Sequence, residues 1–145
     1  MASILKVDEL QGIATAGDIT VTSEGGAVTQ SLQQGLAKAW YNLNATATPA
    51  LRDSLNISTI TDEGTGRYEG NFTSAMGNAN YAATGSNSVK GNDGNSFEMV
   101  LTTGDEADTY GLHSTAAIRS NSYASNAANY RDPTNIQLVV HGDLA

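Results

Sequence analysis

At 145 residues and 15.0 kDa the chain has room for one domain of ordinary size with a short appended segment, and none for a multidomain enzyme. Leu, Ile, Val and Phe together number 27, under the roughly 20 % that accompanies disorder in highly charged chains, yet only two prolines, a net charge of −8 and aromatic residues spread from Trp40 to Tyr130 describe a chain that folds. The absence of cysteine removes disulfides, thiolate zinc sites and cysteine nucleophiles together, and seven Lys and Arg against fifteen Asp and Glu disfavour nucleic acid as a partner. No apolar run has the ~20 residues that span a bilayer, so membrane insertion is not expected, and no residue set calls for a cofactor.

In chain order, Ile4-Leu-Lys-Val-Asp-Glu-Leu10 is the most apolar part of the N-terminus. Gly12 and Gly17 mark turns or a flexible joint, so residues 1–17 read as a detachable segment with Ile4, Leu5, Val7 and Leu10 as its attachment residues. Residues 18–37 read as a connector: a β-like piece at Asp18–Thr22, a turn at Gly25-Gly26, then a short helix. Val28, Leu32 and Leu36 fall on one helical face, although Gly35 weakens such a helix by roughly 1 kcal/mol relative to Ala. That face either lies on the chain's own sheet or joins identical subunits, because Val28, Leu32, Gly35 and Ala39 also follow a 4-3-4 seam. The stripe and the thin core make a homotrimer the expected assembly, with Val28, Leu32 and Leu36 at its contact.

From Lys38 the apolar period changes to two, and residues 38–145 read as an antiparallel β-sandwich of seven or eight short strands. Ala39, Tyr41 and Leu43 alternate with Trp40, Asn42 and Asn44; Leu55 and Ile57 alternate with Asn56 and Ser58; Tyr68, Gly70 and Phe72 alternate with Glu69 and Asn71. Further strands are expected at Asn80–Gly85, Ser96–Thr103, Thr109–Ile118 and Asn135–His141, the last with Ile136, Leu138 and Val140 inward. Asp62-Glu-Gly-Thr-Gly66, Met76-Gly-Asn78, Gly91-Asn-Asp-Gly-Asn95 and Gly104-Asp105 have turn chemistry. Ser120–Asn135, nearly all Ser, Ala and Asn, reads as a long surface loop.

Catalytic motifs are missing. There is no Gly-x-Ser-x-Gly elbow, no phosphate loop ending in Gly-Lys-Ser/Thr and no His-Glu-x-x-His. Asp105, Glu106 and Asp108 form the densest acidic group, which reads as a solvated turn, with a Ca²⁺ loop as the sharper alternative although full EF-hand spacing is lacking. Asp62 and Glu63 have the same two readings. His113 and His141 read as ordinary sheet or rim residues, and the acceptor-like triplets at Asn44, Asn56 and Asn71 are expected by chance in so Asn-rich a chain. Tyr110, Tyr123 and Tyr130, with Arg119, Arg131, Asn121 and Asn126, either offer flat faces and amides to a sugar or pack back onto the sandwich.

Lys38-Ala-Trp40, Arg52-Asp-Ser54, the run Ile57-Ser-Thr-Ile-Thr-Asp62 with Gly64-Thr-Gly66, Tyr68, Asn71-Phe-Thr73, Ala75-Met76 and Asn80-Tyr-Ala82 together resemble a domain of fibre and other virion appendage proteins of tailed phages, especially marine ones. Ile4-Leu-Lys-Val-Asp8 is similar to the start of several such proteins, and the likeness covers roughly the first 85 residues. It departs at Met76, followed by Gly77-Asn78 where similar sequences often have Pro, and at Asn44, followed by Ala45 rather than Gly. The resemblance implies a non-enzymatic virion protein, commonly a homotrimer, with an N-terminal attachment to a capsid or tail protein and a β-rich distal domain that touches the host surface. The length is short for a whole tail fibre, so capsid decoration or head fibre is expected ahead of a tail fibre that recognises a host glycan.

Overall fold

A computed structural model describes residues 5–11, 19–22, 26, 28–88, 97–100, 113–124 and 129–145. The chain divides into two units, Met1–Leu36 and Ala37–Ala145.

In the first unit Thr20–Thr22 (β1) and Thr29–Ser31 (β2) pair antiparallel, with Val21 opposite Gln30. A single helical turn, Leu32–Gly35 (α1), follows at once. The Ser31 hydroxyl caps it by accepting from the Gln34 N–H at 3.4 Å, and the Leu32 N–H is donated to the Ile19 carbonyl at 2.7 Å. The helical face expected over Val28, Leu32 and Leu36 is therefore corrected. Val28 stands before β2, Leu32 opens the turn, and Leu36 is an extended C-cap residue. Ser31 starts the helix where its side chain can cap, and Gly35, a poor helix former, ends it one turn later.

The second unit is an all-β antiparallel sandwich. Its strands are Ala39–Asn44 (β3), Ala50–Leu55 (β4), Ile57–Asp62 (β5), Arg67–Phe72 (β6), Ala82–Ser88 (β7), Phe97–Val100 (β8), Ala117–Ala124 (β9), Asn129–Tyr130 (β10) and Asn135–His141 (β11). One sheet runs β4-β3-β11-β7; the other runs β5-β6-β9-β10, with β8 also paired to β9. Alternation builds the core: Ala39, Tyr41 and Leu43 of β3 sit opposite Val140, Leu138 and Ile136 of β11, and all six are buried. Tyr68 and Phe72 of β6 and Ile118 of β9 join them from the facing sheet.

Two tyrosines tie the layers together. Tyr41 lies against β6 at Gly70, where a Cβ would stand 3.2 Å from its ring, and its hydroxyl donates to Ser120 Oγ of β9 at 2.8 Å. Tyr68 donates to Asp132 Oδ1 at 2.7 Å, and the same oxygen accepts from the Gly66 N–H at 2.6 Å. Gly66 has φ +68°, and a Cβ there would lie 2.7 Å from the carbonyls of Ser122 and Arg131, so no other residue fits this turn. The C-terminus is pinned by a Met76–Leu144 bridge and by the Gly77 N–H donated to the Asp143 carbonyl at 2.7 Å.

Three further expectations are corrected. Leu55–Ser58 is a corner between strands of different sheets, because Asn56 takes φ +56° and its side chain brackets the Ser74 backbone, accepting from the N–H at 2.7 Å and donating to the carbonyl at 3.0 Å. Of the strand expected at Thr109–Ile118, the described part becomes extended only at Ala117, since Ser114 Oγ accepts the Ala116 and Ala117 N–H groups in a turn. Ser120–Asn135 is no long loop: β9 runs to Ala124, β10 returns beside it, and Ser120, Asn121 and Ser122 are buried. The polarity of the two serines is accommodated inside, where Ser120 accepts from Tyr41 and Ser122 Oγ accepts from Asn87 Nδ2 at 2.9 Å.

Candidate functional site

The first unit gathers apolar side chains without covering them. Leu5, Val7, Leu10, Val21, Val28 and Leu36 are each at least half exposed; Ile4, the remaining attachment residue, lies outside the described residues. Leu32 and Leu36 together line two shallow hollows. One, of about 250 Å³, also takes in Leu10 and Ile19; the other, of about 270 Å³, takes in Val21 and Gln30. One of the expected attachment residues, Leu10, is thus brought beside two of the expected contact residues, Leu32 and Leu36. Val28 lines neither hollow.

On the sandwich, Tyr123 and Tyr130 face each other across the β9–β10 pair, with ring centroids 5.4 Å apart in an edge-to-face arrangement. Arg67, at the start of β6, lays its guanidinium carbon 4.3 Å from the Tyr130 ring centroid. Sequence reasoning missed Arg67 because nothing local links it to a residue more than sixty positions later. Arg119 is committed elsewhere: its Nε donates to Glu69 Oε2 at 2.6 Å on the neighbouring strand. Arg131 is exposed, and its backbone N–H is donated to the Ser122 carbonyl. Of the four residues expected to form one surface, Tyr123 and Tyr130 touch each other and Arg119 pairs with Glu69.

The other singled-out residues have structural surroundings. Asp62 Oδ1 accepts from the Gly64 N–H at 2.9 Å and closes the β5–β6 turn. His113 stacks on Tyr81 with centroids 5.2 Å apart, and burial lowers its pKa from the ordinary value. His141 ends β11 opposite Ala82. Asp105, Glu106 and Asp108, together with Tyr110 and Asn126, lie outside the described residues. Among the described residues no group of three or more His, Asp or Glu is placed to hold a metal ion, and no helix is long and apolar enough to cross a membrane.

One sandwich feature had no sequence counterpart. Leu55 and Leu144, the two large hydrophobics this unit leaves exposed among the described residues, border the same hollow of about 410 Å³ beside Lys38 and Asn56. Asn56, at the corner between β4 and β5, lines it together with Thr73 and Ser74.

The fold and these surfaces define an antiparallel β-sandwich preceded by an apolar, little-buried N-terminal unit. Comparison with protein-family models, with curated proteins and with solved structures finds no match to this chain.

Proposed function

We propose that the chain is a non-enzymatic structural protein of a tailed-phage virion, a homotrimeric appendage attached through its N-terminal segment as a capsid decoration or head fibre. Its partners on this reading are two copies of itself and a capsid or tail protein. The observation that carries the proposal is unequal burial: the six exposed aliphatic side chains between Leu5 and Leu36 stand against a sandwich whose core is closed. Exposed apolar clusters of that kind are covered by partner proteins. The resemblance of residues 38–82 to virion appendage domains indicates which partners.

Deleting residues 2–11 is expected to leave a soluble trimer that is absent from assembled particles; normal incorporation of the truncated chain would overturn the attachment. Sedimentation of the full chain at micromolar concentration is expected to give three chain masses or a multiple of three, and a stable monomer would remove the trimer. A second reading, a tail-fibre module for a host-surface glycan, is favoured by the side-by-side placement of Tyr123 and Tyr130. Replacing both by Ala abolishes adsorption on that reading and leaves it unchanged on the first.

A further inference from the structure

On the outward face of the β4-β3-β11-β7 sheet, strand register sets two rows of unlike chemistry side by side. Tyr41 and Leu43 of β3 and Leu138 and Val140 of β11 point into the core, so alternation turns Trp40, Asn42, Gln137 and Val139 outward. Trp40 lies opposite Leu55 on one side and Val139 on the other, an apolar row with the indole at its centre. Two residues along, Asn42 lies between Asp53 and Gln137, a polar row. Neighbouring strands stand about 4.8 Å apart and the two rows about 7 Å apart, spacings on the scale of a single sugar ring. Leu55 is 47 % exposed, Gln137 is exposed, and Trp40 and Asn42 are partly so. Among the described residues neither the Trp40 indole N–H nor the Gln137 amide has a hydrogen-bond partner.

Charge selects the occupant. Arg52, the cation bonded to the polar row, donates to Asn42 Oδ1, Asn135 Oδ1 and the Thr134 carbonyl, and the neighbouring Asp53 offsets its charge. A phosphate or an acidic partner therefore meets a committed guanidinium in a chain whose net charge of −8 repels it. A single apolar row is also narrower than the apolar core of a protein interface. The ligand that fits has C–H faces for the indole and neutral hydroxyls for side-chain amides, which both donate and accept. We infer that this face is a binding site for a neutral oligosaccharide, with one ring stacked on Trp40 and its hydroxyls on Asn42 and Gln137. Asn42 keeps its amide N–H groups for the sugar, since Arg52 occupies its oxygen. The site lies on the other sheet from Tyr123 and Tyr130 and does not rest on the virion reading.

Trp40 is the sole tryptophan, so its emission reports on this face alone. The full chain is titrated with maltohexaose, cellohexaose, mannohexaose and the hexamer of N-acetylglucosamine, with hexagalacturonate as the charged control. At least one neutral hexamer is expected to change the emission saturably, and hexagalacturonate is expected to leave it unchanged. Gln137→Ala, a substitution at an exposed position, is expected to raise the half-saturation concentration of that hexamer about fivefold through loss of one hydrogen bond. Trp40→Ala, followed by calorimetry, is expected to abolish binding. No saturable change with any neutral hexamer, an equal response to hexagalacturonate, or an unchanged half-saturation concentration in Gln137→Ala overturns the inference. So does emission that acrylamide fails to quench in the sugar-free chain, because the chain itself then covers the face. Emission that shifts on dilution without sugar overturns it too, because a second copy is then the occupant. Sedimentation and particle incorporation read the virion proposal independently, so the failure of either proposal leaves the other measurable.

Discussion

Leu36 and Leu43 stand seven residues apart in opposite circumstances: Leu36 is 56 % exposed and Leu43 is completely buried. Leu43 belongs to a strand flanked by β4 and β11, and its neighbour in the core, Tyr41, reaches β6 and β9 of the facing sheet. Leu36 ends a single helical turn after two three-residue strands, an arrangement too small to enclose a core, since an isolated two-stranded hairpin is marginal in water. The sandwich supplies its own burial, whereas the N-terminal unit leaves its apolar side chains for something else to cover. The low Leu, Ile, Val and Phe content is thus divided unevenly rather than spread thin.

The strongest way to break that contrast is to open the sandwich. Leu138, 1 % exposed and opposite Tyr41, is fixed on both sides within its sheet. Leu138→Ala is expected to destabilise the chain by about 3 kcal/mol, through lost burial and the cavity left in a closed core, measured by urea unfolding of the full-length protein. A loss below about 1 kcal/mol would mean the sandwich core is as loosely covered as the first unit.

A smaller effect tests the polar link between the sheets. Tyr41→Phe deletes the hydroxyl donated to Ser120 and leaves a buried oxygen without that donor, at an expected cost of about 1–2 kcal/mol. Burial pushes the Tyr41 pKa from 10.0 up to about 12, partly offset by Ser120. The folded chain therefore holds this proton where the unfolded chain releases it, so the stabilisation is whole below pH 10 and is lost as pH rises through about 12. Tyr68 and Tyr81, also raised by burial, act in the same direction. The wild-type urea midpoint is expected to fall above pH 10, and less steeply in Tyr41→Phe; equal slopes in the two proteins would contradict this.

How far the fold could be read from the sequence followed the same physics. β3, β6 and β11 were legible because every second residue is buried, so period two is written in apolar side chains. β9 was not: Ser120 and Ser122 face the interior, and the groups that make their burial tolerable, Tyr41 and Asn87, are distant in sequence. The Val28, Leu32, Leu36 spacing misled because four is also a multiple of two, so it cannot distinguish a helical face from an extended one. Of the candidate site, the Tyr123–Tyr130 pairing depends on a hairpin hidden in a Ser- and Asn-rich run, and the Arg67 contact depends on where β6 starts relative to that hairpin.

The smallest expected effect on stability is also the sharpest test of the comparison. Val28 and Leu36 are 66 % and 56 % exposed, so Val28→Ser/Leu36→Ser removes little buried area, and the unfolding midpoint of the sandwich is expected to stay within about 0.5 kcal/mol of wild type. On the trimer reading, the same pair of substitutions lowers the sedimenting mass at micromolar concentration, because the area they offered to neighbouring copies is gone. A loss of more than about 1 kcal/mol without dissociation would place these residues in the sandwich's own support, and the two units would no longer differ in what covers them. No change in either quantity would make Val28 and Leu36 ordinary surface residues, and the trimer contact would then have to lie elsewhere.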